Sequence, residues 1–288
     1  MKINIENEIY PKELRKIKNP PKTLNLIGNI ELLKTNGIAV IGSRNCSKYG
    51  ERMAKKFVED LTCYNLTIIS GMAKGIDYIA HESCLNLNGK TIAVLPSGLN
   101  KIYPEENKLI FHRIIEQGGL VISEYDENTQ ADSNKFLERN RIISGLSIGI
   151  LVVEGGYRSG TSVTAKIGEE QGKKIFCVPS SLENRKGITP NNLIKNGAQL
   201  VTSAEDIIEK YEKLNLIKIE KKREIFVEPE YQEIFNILNT IEKIHINELT
   251  KKLKTNIKDI SSKLMMLELN GKIEELPGNY YKRIWKYE

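Results

Sequence analysis

No CxxC pair and no Cys/His spacing occurs among the four cysteines, Cys46, Cys63, Cys84 and Cys177, so the chain offers no structural zinc site. Each lies in or near an apolar stretch, the setting of a buried free thiol and not of a disulfide. The N-terminus has no apolar signal core, and no uninterrupted apolar run approaches the roughly 20 residues of a membrane span. The chain therefore reads as cytoplasmic. There is no GxGxxG and no GxxxxGK followed by Ser or Thr, which leaves a dinucleotide-dependent dehydrogenase and a P-loop ATPase unsupported. Charge of one sign is also missing. The net charge of +6 is spread out, and residues 221–288 hold 13 Lys/Arg against 11 Asp/Glu, so no part is a polycationic tail. Repeats and low-complexity tracts are absent too.

What is present is an ordinary globular composition, 40% hydrophobic and 28% charged, over 288 residues. That length suffices for one sizeable α/β core and a small appended domain. Short apolar runs at Ile38–Ile41, Leu66–Ser70, Thr91–Leu95, Leu120–Ser123, Ile148–Val153 and Ile175–Val178 read as strands. Between them, Gly50–Thr62, Gly75–Leu87, Glu105–Gln117 and Val163–Gln171 read as helices. Near-continuous apolar strands alternating with amphipathic helices predict a Rossmann-like, doubly wound parallel sheet covered on both faces. The expected organisation is a lead-in segment over 1–35, the α/β domain over 36–212, a charge-dense linker over 213–230 and a second domain over 231–288. In the last, helical patterns at Tyr231–Leu238, Ile246–Leu253 and Ile257–Asn270, then two short strands around Pro277-Gly278, describe a winged helix.

In such sheets ligands bind beyond the C-terminal strand ends, and the unusual residues of this chain cluster there. Gly42-Ser43-Arg44, Ser70-Gly71-Met72-Ala73-Lys74-Gly75-Ile76-Asp77, Pro96-Ser97-Gly98 and Glu154-Gly155-Gly156-Tyr157-Arg158-Ser159-Gly160-Thr161 each follow a strand. Glycines at one edge let a ligand approach the backbone closely. Arg44 is the leading phosphate ligand, because converging amides and a planar guanidinium suit phosphate oxygens. The alternative is an arginine that pins a loop to an acidic neighbour. Gly71, Lys74 and Gly75 form a turn into a helix whose N-terminus favours an anion, and Ser159, Gly160 and Thr161 bring hydroxyls and amides to the same edge.

Phe136-Leu-Glu-Arg139-Asn-Arg141-Ile-Ile143 sets an aromatic among arginines, an arrangement that suits unstacked bases. Phe136 either stacks on a base or belongs to the core. Lys135 is a generic phosphate contact. Arg139 and Arg141, two apart at a helix start, point in different directions. One can face nucleic acid while the other packs against Glu124 or Asp77, and the sequence does not say which. Asn140 either caps the helix or meets a base. Asp77 and His81 share a helix face at i, i+4, and a hydrogen-bonded pair that fixes the turn outweighs a metal or acid/base couple. No metal or cofactor is expected.

These motifs, in this order, resemble the DprA (Smf) family of DNA-processing proteins. The resemblance runs from Tyr10-Pro11 through Pro20-Pro21 to about Ala198. It is carried by Val40-Ile-Gly-Ser-Arg44, Ser70-Gly-Met-Ala-Lys-Gly-Ile-Asp77 with His81, and Gly89-Lys-Thr-Ile-Ala-Val-Leu95. Tyr103-Pro104, Ser123-Glu124, Phe136-Leu-Glu-Arg-Asn-Arg-Ile-Ile-Ser-Gly-Leu146 and Ser159-Gly-Thr161 complete it. The resemblance implies a non-enzymatic recombination mediator with single-stranded DNA and the RecA recombinase as partners, typically a homodimer, acting notably in natural transformation. Only nine residues precede Tyr10, so the helical domain many members carry there is not expected. Ser180 stands where members usually have Gly. The rival reading is a nucleoside-monophosphate phosphoribohydrolase, whose Pro-Gly-Gly-x-Gly-Thr-x-x-Glu motif the 154–164 segment partly matches. However, Thr164 replaces the catalytic glutamate, Glu154 replaces the proline, and two residues are inserted. The recognition helix of the second domain, about Ile257–Asn270, carries Lys258 and Lys263 against Asp259 and Glu268, less of a basic face than a groove reader usually shows, so a protein-contact or regulatory role stands level with duplex binding.

Overall fold

A computed structural model describes residues 1–157, 159–221, 227–240 and 242–284. Two compact units result, Met1–Arg223 and Glu224–Glu288, whose boundary falls among residues 222–226, outside the described ones.

The first unit is built on nine strands: β1 (Lys2–Asn4), β2 (Thr23–Gly28), β3 (Gly37–Ile41), β4 (Thr67–Ser70), β5 (Thr91–Leu95), β6 (Leu120–Ser123), β7 (Gly149–Val152), β8 (Lys174–Cys177) and β9 (Gln199–Leu200). They are ordered β1-β2-β6-β5-β4-β3-β7-β8-β9. From β6 to β9 every neighbouring pair is parallel, whereas β2 runs antiparallel to β6 and β1 antiparallel to β2. The helices are α1 (Lys12–Arg15), α2 (Lys48–Cys63), α3 (Ile76–Leu85), α4 (Lys108–Glu116), α5 (Ser133–Leu146), α6 (Gly160–Glu170), α7 (Ile188–Lys195) and α8 (Glu205–Ile208).

Strand β3 shows why its sequence is apolar throughout. Ala39 and Ile41 enter the core beneath α1 and α5, while Ile38 and Val40 enter the core beneath α2 and α3. With period two, a strand covered on both faces has no position left for a polar side chain.

Two sequence expectations need correction. Residues 1–35 are no lead-in: β1 and β2 extend the sheet, and Ile3, Tyr10, Leu14, Leu24 and Leu26 are buried in its core. The linker over 213–230 shrinks from both sides. Leu216 packs on the α2/α3 core, the Ile219 amide donates to the Cys63 carbonyl (2.8 Å), and Lys218 pairs with Glu205 (2.9 Å). Val227 is buried in the second unit, and its first helix starts at Pro229. Of that linker, residues 222–226 lie outside the described residues.

The second unit contains α9 (Pro229–Ile237), β10 (Ile244–His245), α10 (Ile246–Leu253), α11 (Ile257–Leu269), β11 (Ile273–Leu276) and β12 (Tyr280–Arg283), with sheet order β10-β12-β11. This is a winged helix with its own core of Ile234, Phe235, Leu249, Leu264, Leu267 and Ile273. Ile241 and residues 285–288 of this domain lie outside the described residues. No described helix is long and apolar enough to cross a membrane.

Candidate nucleic-acid interface

The chain winds outward from β3 through β4 and β5 to β6, then returns to place β7 on the other side of β3. Loops after β3 and β7 therefore diverge, and the crevice between them is where open α/β sheets take ligands. A cleft of about 820 Å³ opens there. Of the sequence-predicted residues, Gly42, Ser43, Arg44, Phe136, Arg139, Asn140, Ser159, Gly160 and Thr161 line it, whereas Gly71, Lys74, Gly75, Lys135 and Arg141 do not.

Arg44 is exposed at the mouth, its guanidinium carbon 4.4 Å from the centroid of the Phe136 ring. Among the described residues no carboxylate lies within ion-pair distance of it, so the loop-pinning alternative has no partner here. Phe136 is half-buried, with Tyr103 edge-on at 5.4 Å. The Ser43 hydroxyl closes its own turn by donating to the Asn45 carbonyl (3.0 Å) and accepting from the Asn45 amide (3.2 Å). Across the cleft, Ser159 starts α6 without capping it, and its hydroxyl meets that of Thr189 (3.2 Å). A side chain at Gly160 would have nothing within 4 Å. The first turn of an 11-residue helix thus faces open space with its positive dipole end. Arg158, in the same loop, lies outside the described residues.

The two arginines of the Phe136–Ile143 motif are both held internally. Arg141 donates to both Glu124 oxygens (2.6 and 2.8 Å), away from the cleft. Arg139 is 3% exposed and forms the cleft floor. Its Nη1 donates to the carbonyls of Gly71 (2.6 Å) and Val94, tying the ends of β4 and β5 together. Burial lowers its pKa to about 10, with the Asp77 carboxylate opposing, so it stays charged at neutral pH. Burial conversely raises the Asp77 pKa, against the pull of Arg139 and of the Ala73 and Gly71 amides.

Several expected roles change. Gly71 leaves room for Arg139, whose guanidinium would stand 2.5–2.7 Å from an added Cβ. Gly75 has φ +74° and packs on the Ser43 carbonyl, so it shapes the Arg44 loop. Lys74 pairs with Glu106 (2.7 Å), and Lys135 is drawn to Asp132. Asp132, not Asn140, caps α5, accepting from the Asn134 and Lys135 amides (both 3.0 Å), because the helix begins at Ser133 and leaves Asn140 inside it. Asn140 accepts instead from Arg139 Nε (3.3 Å). Tyr103, Asn45 and Thr164 also line the cleft. Tyr103, exposed beside Phe136, is the site residue that sequence reading missed, although its Tyr-Pro motif was visible.

Asp77 and His81 are not hydrogen-bonded to each other. Asp77 alone fixes the turn by accepting from the Gly71 and Ala73 amides (3.2 and 3.4 Å). His81 Nδ1 lies 2.7 Å from the Thr91 hydroxyl, which itself donates to the Ile68 carbonyl. Nδ1 must therefore carry the proton, leaving a buried Nε2 lone pair without a partner. Burial, with Arg139 adding to it, lowers the His81 pKa to about 3. Because the unfolded imidazole binds protons near pH 6.5 and the folded one does not, stability must fall as pH drops below about 6.5. His81→Leu should flatten the stability profile between about pH 6.5 and 4 in equilibrium unfolding; an unaltered slope would refute the neutral assignment.

The glycosidase-like segment lacks a free carboxylate. Glu154 is buried, accepting from the Ser47 amide (2.8 Å), the Ser47 hydroxyl and Asn184 (3.1 Å), and Thr164 Oγ1 is turned back onto the Gly160 carbonyl (3.0 Å).

Comparison with known proteins places this geometry. A family model for DNA recombination-mediator protein A matches residues 2–212, and one for the DprA winged helix domain matches residues 224–279. Protein Smf of Escherichia coli is 36% identical over 286 residues, 97% of this chain and 76% of that protein. The X-ray structure of DNA processing protein A from Streptococcus pneumoniae superposes with TM-score 0.69 at 39% identity, covering 73% of this chain and 74% of that one. A Helicobacter pylori DNA processing protein A, described for its single-stranded DNA binding mode, superposes with TM-score 0.67 at 31% identity, covering 74% and 96%.

Proposed function

The chain belongs to the DNA recombination-mediator protein A (DprA) family, and from that premise we propose that its strand-end cleft holds single-stranded DNA and presents it to RecA. One observation carries the reading: an exposed guanidinium stacked on an aromatic ring at the mouth of a cleft whose far wall is a helix N-terminus. Arg44 takes the phosphate, and the amides at Gly160 and Thr161 take the next one. A base replaces or extends the Arg44–Phe136 stack, with Tyr103 beside it. Stacking tolerates any base, so binding is sequence-tolerant, and phosphate contacts make it salt-dependent. Arg139 acts behind this surface as a positioning residue.

The role is non-catalytic and cytoplasmic. A homodimer joins two clefts and coats a strand cooperatively, and RecA nucleates on the strand so held, in DNA processing or natural transformation.

Fluorescence anisotropy on labelled oligo-dT and a matched duplex, across a salt series, tests the binding. The expected result is tighter binding to oligo-dT, lost steeply with salt. Arg44→Ala should weaken it at least about tenfold, since charge-assisted contacts contribute about 1.5–3 kcal/mol. Unchanged affinity at matched salt would remove Arg44 from the site.

A further inference from the structure

Helix α11 occupies the recognition-helix position of the winged helix, yet its outward face is apolar. Ile257 (52% exposed), Met265 (61%) and Leu269 (69%) follow one another, with Ser261, at four-residue spacing along 13 residues of helix. Such a row lies on one side of a helix and forms a continuous ridge. A helix built to enter a DNA groove carries cations along that side. Here the charges sit at opposite ends instead: Lys258 beside the start of the row and Glu268 beside its finish. Lys258 has no ion-pair partner among the described residues, while Glu268 uses one oxygen to accept from the Glu275 amide (3.0 Å).

The row is self-complementary when reversed. If two copies of α11 lie antiparallel with Lys263 at the centre of symmetry, Ile257 comes level with the second copy's Leu269, and Ser261 with its Met265. Lys258 then comes level with Glu268 at both ends. A two-fold contact requires this reciprocity, in which each residue meets its counterpart twice. A parallel arrangement would set Lys258 beside Lys258. We propose that α11 is a self-association surface through which the winged helices of two copies of this chain pair antiparallel. The contact is small and methionine-containing, suited to weak, reversible association. It needs no DNA to form.

Zero-length carbodiimide cross-linking of the full chain, as a mixture of ¹⁴N- and ¹⁵N-labelled protein, tests the register. Within one helix Lys258 and Glu268 are about 15 Å apart, too far for a direct amide bond. A mixed-label Lys258–Glu268 peptide is therefore expected only from an antiparallel pair. Sedimentation velocity should show an associated species that Met265→Glu with Leu269→Glu weakens at least tenfold. Lys258→Glu should weaken it as well, and adding Glu268→Lys should restore it. Both apolar positions are exposed, so an unchanged circular dichroism spectrum separates lost contact from lost fold. Three outcomes would overturn the proposal. One is no mixed-label link together with unchanged sedimentation. Another is a variant that loses duplex DNA affinity while its association is intact, which would give the face to nucleic acid. The last is altered hydrogen exchange confined to the first unit, which would make that unit the occupant.

Discussion

Replacing Arg139 by Met should destabilise the larger unit by about 3–5 kcal/mol, because a buried guanidinium is taken both from two backbone acceptors and from the neighbourhood of a buried carboxylate. Arg139 has no solvent to lose and two backbone carbonyls to satisfy, those of Gly71 and Val94. Met fills a similar volume but donates nothing, so both carbonyls lose their charged donor and Asp77 loses the nearby positive charge that opposes the cost of its burial. For a unit of this size each kcal/mol moves the melting point by about 2–4 °C, so the transition should fall by roughly 6–20 °C. Adding Asp77→Asn distinguishes charge from packing. Asn keeps an acceptor for the Gly71 and Ala73 amides and removes the stranded charge, so the double variant should recover a large share of the loss. The sign with pH follows from Asp77. Its folded pKa is raised, so its burial is tolerated when protonated and resisted above its unfolded value near 3.9. The Arg139→Met defect should therefore grow as pH rises above the raised folded pKa of Asp77 and shrink toward acid. A thermal transition within about 1 kcal/mol of the parent would show that Arg139 is not structural.

Arg139 also shows where sequence reading stops. That the Phe136–Ile143 segment carries an aromatic and two arginines is plain from the residues, and so is the rule that positions two apart diverge. Which arginine faces the ligand depends on where α5 begins. Asp132 sets that point by capping the helix one residue ahead of Ser133, and the cap turns Arg139 inward and Arg141 toward Glu124. The doubly wound core was legible because six of its strands are buried on both faces and read as unbroken apolar runs. Strands β1 and β2 were not, since three- and six-residue antiparallel strands between charged and proline-rich stretches give too little periodicity. The gathering of loops is legible only as a rule about strand ends. That the β3 and β7 loops meet across one cleft comes from the strand order, which places β7 beside β3 despite more than 100 intervening residues. The charge-dense stretch after residue 213 misled for a simpler reason: its Lys218 pairs with Glu205 of the first unit, so charge there marks a docked segment as readily as a linker.

Two glycines, Gly160 lining the cleft and Gly75 behind its Arg44 loop, should respond to alanine in opposite ways. Gly75 has φ +74° and ψ −127°, a region that side chains avoid, and its missing Cβ leaves room for the Ser43 carbonyl, which would otherwise stand 2.3 Å away. Gly75→Ala must strain the backbone and push the Ser43–Arg44 segment outward, at a combined loss of roughly 2–6 kcal/mol in stability. Because the displaced segment carries the guanidinium, single-strand affinity should fall at least as far as in Arg44→Ala. Gly160 is the reverse case. It sits at the first position of α6 with helical backbone and empty space where a methyl would go. Gly160→Ala should leave stability unchanged or raise it by about 0.4–1 kcal/mol by restricting the unfolded chain. If phosphate seats on the α6 amides, that methyl intrudes on it, so DNA affinity should drop while the melting point holds or climbs. Anisotropy and thermal melts on the same two proteins separate the roles. Loss of both properties in Gly75→Ala with loss of binding alone in Gly160→Ala assigns one glycine to building the cleft and the other to admitting its ligand. Full affinity in Gly160→Ala would move the second phosphate off α6 and leave the Arg44–Phe136 side as the whole of the interface.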